Sequence, residues 1–139
     1  MAYALLTNGG APMRLIHAIR TLVLGELAGI EVPPRSTPPS RPIEIAPRRF
    51  VGRYQNAGSY LDVRQGADGG LVTEIGLRGT LAEQVGREPA TYRMTGYSSS
   101  SLITSEPENG AHWRLAFSEL DADGRATSVF DGSRVALRV

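Results

Sequence analysis

Four consecutive serines, Ser98, Ser99, Ser100 and Ser101, lie upstream of His112, with Asp121 and Asp123 beyond. Serine, histidine and carboxylate are the side chains of hydrolytic acyl transfer, in which the carboxylate orients a histidine that takes the serine proton. Spacing along the chain leaves that geometry open. No strand–turn–helix nucleophile elbow surrounds these serines, however. Serine clusters between strands usually mark turns, where the hydroxyl bonds nearby backbone, so Tyr97 to Ser101 reads as a loop. A serine–lysine mechanism is excluded outright, because all 15 basic residues are arginine and no lysine exists to act as base. With no cysteine in the chain, thiol nucleophiles, disulfides and cysteine-ligated metals are excluded as well.

Other chemistries find equally little support. His17 and His112 are the only histidines, and neither has a His, Asp or Glu partner at ligand spacing on a shared element. His17 reads as a helix-surface residue. The run Asp121-Ala122-Asp123-Gly124 opens like a calcium loop but lacks the later oxygen ligands and the terminal glutamate. A hairpin turn is the better reading. Gly66, Gly69, Gly70, Gly76 and Gly79 form neither a P-loop nor a dinucleotide fingerprint, and turns and bulges between short strands account for them. No cofactor and no metal are expected.

Net charge is only +1, and the arginines are interleaved with acids, so the chain offers no basic stripe for nucleic acid. The longest apolar segment, Leu15 to Ile30, contains Arg20 and Glu26 and follows Arg14; it is too short and too charged to span a bilayer. The first residues have no basic cluster before the apolar run and are broken by Gly9, Gly10 and Pro12, unlike a signal peptide. A cysteine-free chain suits cytosol or periplasm; the compartment is left open, with a slight preference for the cytoplasm.

The elements that would position any site are read from periodicity. Met1 to Gly10 (MAYALLTNGG) is a short apolar run ending at turn residues, as in a strand buried on both faces. Pro12 sits just inside a helix start. Leu15, Ile16, Ile19, Leu22, Val23 and Leu27 then recur at helical spacing up to Gly29, giving a broad apolar stripe that must cover something large. Glu31 to Pro47 holds six of the nine prolines and reads as a semi-rigid tether.

From Arg48 the period changes to two. Strands are expected over 48–55, 59–65, 71–77, 101–105, 112–120, 126–130 and 134–139, with weaker ones over 80–85 and 91–97. Asn56-Ala57-Gly58, 66–70, 106–110 and 121–124 supply the turns. Eight or nine short strands at this spacing indicate a mainly β fold, an antiparallel sandwich or small barrel. The expected inward residues are Phe50, Leu61, Val63, Leu71, Met94, Leu102, Trp113, Leu115, Phe117, Val129 and Val135. A barrel of this size is filled by its own side chains in preference to enclosing an apolar ligand.

The order of segments resembles the C-terminal part of the β-lactamase-like, penicillin-binding-protein-like serine hydrolases, a family that includes esterases and D-aminopeptidases. Ala4 to Gly10 looks like the last strand of such a catalytic domain, and Arg14 to Gly29 like its last helix. Phe50-Val51-Gly52-Arg53-Tyr54 looks like the start of a lipocalin-like accessory barrel, and Trp113 through Arg125 to the terminal 134–139 like its end. The resemblance implies a division into 1–30 (terminal strand and helix of a truncated hydrolase domain), 31–47 (Pro-rich linker) and 48–139 (accessory barrel).

The family's chemistry uses Ser-x-x-Lys, a second Tyr or Ser motif and a Lys/His-Thr-Gly strand. None of these matches a position here, so no catalytic residue is carried over. The implied partner is a catalytic hydrolase domain in cis, N-terminal to this chain. What the resemblance implies is a non-catalytic piece that packs on that domain and shapes substrate access through one loop. The candidate lining residues are Ser98, Ser99 and Ser100 in one loop, or Asn109 in the loop Glu106 to Gly110, since polar, mobile loops often line sites. The alternative is an independent lipocalin-like small-molecule-binding module. Without its own domain, the helix would expose an apolar patch, and it is expected to fold onto the barrel or self-associate with a second copy.

Overall fold

Residues 4–8, 12–41 and 43–139 are described by the computed structural model. The period-two region folds into eight strands: β1 (Gly52–Gln55), β2 (Ser59–Gln65), β3 (Leu71–Leu77), β4 (Ala90–Ser98), β5 (Ser101–Thr104), β6 (Arg114–Leu120), β7 (Ala126–Phe130) and β8 (Val135–Arg138). Each pairs antiparallel with the next, and β8 pairs back onto β1 to close a barrel. Among the described residues three helices accompany it: α1 (Pro12–Ala28), α2 (Pro47–Phe50) and α3 (Gly79–Val85). The fold is therefore mainly β, a closed eight-stranded antiparallel barrel preceded by a helix.

The turns follow from local side-chain chemistry. Asn56 Oδ1 accepts the backbone N–H groups of Gly58 and Ser59, each at 2.9 Å, and so sets the β1–β2 hairpin. Asp121 does the same between β6 and β7, accepting from Asp123 N at 3.0 Å and Arg125 N at 2.8 Å. The expected hairpin turn at 121–124 is thus present, and no cluster of three potential metal ligands occurs among the described residues.

Consecutive hairpins alternate between the two ends of a barrel. The chain enters β1 at one end, which also carries the β2–β3, β4–β5 and β6–β7 connections. The other end carries β1–β2, β3–β4 (with α3), β5–β6 and β7–β8.

The core matches the alternation over most of its length. Phe50, Leu61, Val63, Leu71, Met94, Leu102, Leu115, Phe117 and Val129 are buried as expected, joined by Tyr54, Ala126 and Ala136. Two expected inward residues differ. Trp113 is half-buried at an end of the barrel, and Val135 is 55% exposed because its neighbour Ala136 takes the inward position. A one-residue slip moves a side chain to the other face, and small apolar residues on both faces of β8 hide which face is inside.

Three other expectations are corrected. Residues 48–50 begin a turn of helix, not a strand. Pro47 opens α2 with its φ preset, Arg49 N donates to Ala46 O at 3.0 Å, and Val51 N donates to Pro47 O at 3.0 Å. Residues 79–85 form α3, not a strand; Leu81, Ala82, Glu83 and Gln84 are good helix formers, and Gly86 at φ 58° ends the helix in the left-handed conformation. In the opening segment, residues 4–8 are irregular and Leu6 is 94% exposed. The rest of that expected strand, 1–3 and 9–10, lies outside the described residues.

Helix α1 forms where its stripe places it and stops at Gly29, whose φ is 64°. It buries no residue, however: Leu22 is 63% and Leu27 68% exposed. The stripe, expected to cover something large, is not buried against any element among the described residues. The tether, in contrast, is partly laid onto the barrel. Arg35 Nη1 donates to Gly110 O at 3.2 Å, and Ile45 packs against the core. At Gly96 a Cβ would collide with Ile43 O and the Ile45 side chain, so glycine there is what lets the tether approach β4 so closely.

Candidate functional site: the open mouth of the barrel

The two ends of the barrel are built differently, and the difference locates the candidate site. At the end where the chain enters β1, α2 acts as a plug. Phe50 is fully buried and meets Phe117 edge-on at 4.9 Å, with Tyr54 against the same ring at 5.5 Å. Arg138, at the end of β8, ties this plug to three elements. Its Nε donates to Ala126 O at 2.6 Å, its Nη1 to Val51 O at 2.9 Å and its Nη2 to the Tyr54 hydroxyl at 2.7 Å. The Tyr54 hydroxyl in turn donates to Phe50 O at 2.9 Å. Burial pushes the Tyr54 phenol up from its ordinary value, and the neighbouring Arg138 guanidinium opposes that shift. Gly52, at φ 149°, leaves space for the Arg138 guanidinium that a Cβ would occupy.

Ser98, Ser99 and Ser100 sit at this plugged end, in the tight β4–β5 connection. Ser98 Oγ and Ser101 Oγ are 2.6 Å apart, and Ser100 N donates to Ser98 Oγ at 3.2 Å. The hydroxyls of Ser98 and Ser101 are thus used in the turn. His112 lies in the β5–β6 connection, at the opposite end of the barrel. Its Nδ1 is 2.8 Å from Thr104 O and, facing a carbonyl, must carry the proton there. The serine cluster and the histidine therefore belong to different ends, and no serine–histidine pair forms between them.

The other end is open. A cleft of about 630 Å³ lies there, lined by Ile75, Trp113, Asn109, His112, Arg35 and the β7–β8 turn 131–133, and extending to Met13 of α1 and Phe130 of β7. Trp113 stacks on Tyr92 with ring centres 5.4 Å apart. Burial raises the Tyr92 phenol above its usual value, helped by the Glu108 carboxylate. Beneath Ile75 on the same face of β3, Thr73 is fully buried and its Oγ1 has no hydrogen-bond partner. The loop 105–113 that forms one wall is pinned at its base: Thr104 N donates to Trp113 O at 2.9 Å and Trp113 N to Thr104 Oγ1 at 3.0 Å.

The opposite wall is the turn 131–134. Asp131 Oδ1 accepts from Ser133 N and Arg134 N, each at 2.8 Å. Burial alone would raise the Asp131 carboxyl; these N–H donors and the Ser133 hydroxyl outweigh it and hold the group below its ordinary value. Asn109 sits at the tip of the 105–113 loop with φ 50°, a left-handed position that asparagine tolerates.

Of the four candidate lining residues, then, Asn109 reaches the cleft and Ser98, Ser99 and Ser100 do not. Sequence reasoning missed Arg35, Ile75 and Trp113 as cleft residues. Arg35 lies in what reads as a tether, and Ile75 and Trp113 follow the inward alternation of ordinary core residues. The cleft presents an aromatic and aliphatic surface together with guanidinium and imidazole nitrogens and backbone edges, groups suited to binding.

No protein-family model matches this chain. Over 57 residues it is 42% identical to penicillin-binding protein 4 of Amycolatopsis lactamdurans, a stretch that is 40% of this chain and 14% of that protein. Among solved structures, SurE superimposes with a TM-score of 0.55 at 23% identity, over 91% of this chain and 26% of that one. SurE with D-Leu superimposes with a TM-score of 0.59 at 20% identity, over 93% of this chain and 28% of that one. The chain shares its fold with part of SurE. It spans about a seventh of the curated relative and about a quarter of the SurE chains.

Proposed function

We propose that this chain is the non-catalytic C-terminal accessory part of a β-lactamase-family serine hydrolase, with esterase, peptidase or β-lactamase-like chemistry residing in a domain N-terminal to it. The observation that carries this reading is that a complete barrel matches about a quarter of a longer chain, while a 57-residue stretch is similar to a penicillin-binding protein. The residues fit a supporting role. The chain holds no lysine for a Ser-x-x-Lys motif, and its serine cluster is spent on a turn at the plugged end.

In this reading the barrel packs on the catalytic domain, and its open mouth shapes substrate access. Of the two loops considered, the β5–β6 loop with Asn109 is the one that borders the cleft, so it is the loop assigned the role. SurE has been solved with D-Leu; a D-amino-acid residue is accordingly the first substrate group to try. The test is to read the coding sequence upstream of Met1 and, where it encodes an N-terminal domain, to run a hydrolase assay on that longer polypeptide beside one on the 139-residue chain. Turnover of a chromogenic ester, a cephalosporin or a D-aminoacyl anilide by the longer chain and none by the short one supports the proposal. Turnover by the 139-residue chain itself would sink it.

A second reading, an independent lipocalin-like small-molecule-binding module, is favoured by the cleft at the mouth and opposed by the barrel interior, which its own side chains fill. Saturable binding of a hydrophobic fluorophore by the 139-residue chain, lost in Trp113→Ala, would favour it.

A further inference from the structure

Two cavities meet at Arg35. The cleft at the mouth, of about 630 Å³, and a smaller one of about 260 Å³ between α1 and the tether share Met13, Arg35 and Ser36 in their walls. The smaller one forms because Met13, Ile16, His17 and Arg20 recur at helical spacing and present one face of α1 to Pro33 and Pro34. Two guanidinium groups, of Arg20 and Arg35, and the His17 imidazole line it, and no carboxylate does among the described residues.

These guanidinium groups are not spent on ion pairs. The ion pairs of the described residues join Arg64 to Asp62 and Glu74, and Arg93 to Asp68; none of them takes in Arg20 or Arg35. A guanidinium offers five N–H donors in a planar fork. Arg35 is half-buried and uses one of its nitrogens, Nη1, on Gly110 O at 3.2 Å. Its other donors meet no acceptor among the described residues. Its backbone is also constrained, because Pro33 and Pro34 fix φ just before it and the tether is pressed onto β4 farther along, at Gly96. A guanidinium held this way has less freedom to lose, and its spare donors suit a planar anion.

The remainder of the groove is apolar. From Arg35 the mouth cleft continues over Met13, Ala111, Trp113 and Ile75. The Asp131 carboxylate lies on the opposite wall, with Oδ1 committed to Ser133 N, Ser133 Oγ and Arg134 N. Its charge gives the groove a polarity: an anion is favoured on the tether side, and an uncharged body over Trp113.

We infer that this groove is a binding site for an apolar monocarboxylate. The carboxylate pairs with Arg35, with Arg20 adding attraction from α1, and the aryl or alkyl body lies on Trp113. The site stands apart from the functional reading above, so its failure leaves that reading in place.

Trp113 is the one tryptophan of the chain, so its fluorescence reports directly on occupancy of the groove. Phenylbutyrate titrated into the 139-residue chain is expected to change that emission saturably. Phenylbutanol keeps the aryl body without the charge and should bind about tenfold more weakly, the loss of one charge-assisted pair. Arg35→Ala should weaken phenylbutyrate about tenfold and leave phenylbutanol as it was. Because Arg35 also holds Gly110 O, Arg20→Ala is the second variant, with circular dichroism unchanged and binding about threefold weaker, as for an exposed charge. Arg64→Ala, on the far β2 surface, should change neither. A carboxylate of this class is supplied by a free acid or by a peptide C-terminus. Comparing phenylbutyrate with N-acetylphenylalanine separates the two sources, and tighter binding of either one supports the site. Three results overturn it: no saturable change with either acid, phenylbutanol binding as tightly as phenylbutyrate, or undiminished phenylbutyrate binding in both folded variants.

Discussion

The two ends of the barrel differ in how they are closed: one is filled by a helix and its buried aromatic ring, the other is left as a cleft between loops. At the plugged end, Arg138 reaches β7, Val51 just after α2 and Tyr54 of β1, and the Tyr54 hydroxyl reaches Phe50 O, so that a guanidinium, a phenol and three carbonyls satisfy one another around Phe50. At the mouth, a cleft of about 630 Å³ stays open, and Trp113 pairs with Tyr92 as its aromatic neighbour. One end is closed by a network in which the terminal strand holds the entry helix. The other ends in loops and a cleft. Where side chains fill the end and are tied to one another, the structure is committed to stability; where loops leave a cleft, it is available for contact.

Substitutions should separate the ends by magnitude. The largest effect is expected for Phe50→Ala, which empties the plug between Tyr54 and Phe117 and should cost about 3–5 kcal/mol in urea unfolding. Arg138→Ala follows, at about 2–3 kcal/mol, because it leaves the Val51 and Ala126 carbonyls and the Tyr54 hydroxyl without their charged donor. Trp113→Ala at the mouth should cost about 1–2 kcal/mol, the loss of one half-exposed aromatic pair. If Trp113→Ala proves more damaging than Phe50→Ala, the mouth is a second plug and the contrast between the ends fails.

The pH dependences sharpen the same contrast with smaller effects. Tyr54 has a raised folded-state pKa, chiefly through burial. Its contribution is fully present below the unfolded value of 10.0 and is lost as pH rises through the folded value above it. Alkaline titration should therefore loosen the plugged end, seen as a falling melting temperature above pH 10 that Tyr54→Phe reduces. Asp131 behaves in the opposite sense. Its folded pKa is depressed, so the turn 131–134 is stabilised above the unfolded value of 3.8 and loses that support as pH falls through the folded one. Protection of the Ser133 and Arg134 amides, taken relative to their intrinsic exchange rates, should fall in acid before that of the strands, and Asp131→Asn should remove most of that pH dependence.

Much of this architecture is legible in the sequence because strand alternation and turn chemistry agree. Ser59–Gln65, Leu71–Leu77 and Ala126–Phe130 are bounded by Asn-, Asp- and Gly-rich turns, and they fold where they are expected. Residues 48–50 mislead because Arg48-Arg49-Phe50 continues the alternation of β1, while Pro47 decides the local geometry. Residues 79–85 mislead because their apolar spacing is too short to separate the two periods. Val135 and Ala136 cannot be told apart as inward and outward by size alone.

The candidate site is harder to read. Asn109 is visible as a turn residue, but its place beside Trp113 and Arg35 depends on a closed barrel and a tether laid against it. Those contacts span up to 75 positions in sequence, as in the Arg35–Gly110 hydrogen bond. No local pattern encodes them. Likewise, the serine cluster draws attention by composition, and only the topology shows that it faces away from His112.

The central claim is that the open mouth, through the loop carrying Asn109, governs which substrates reach a neighbouring hydrolase domain. The direct measurement is kcat/KM of the longer polypeptide for a small and a bulky ester or D-aminoacyl substrate, before and after the loop Glu106–Gly110 is shortened to a tight turn. A changed ratio of bulky to small substrate, with no change when Ser98, Ser99 and Ser100 are replaced by alanine at the plugged end, is the predicted result. A ratio that stays the same after the loop is shortened would contradict it.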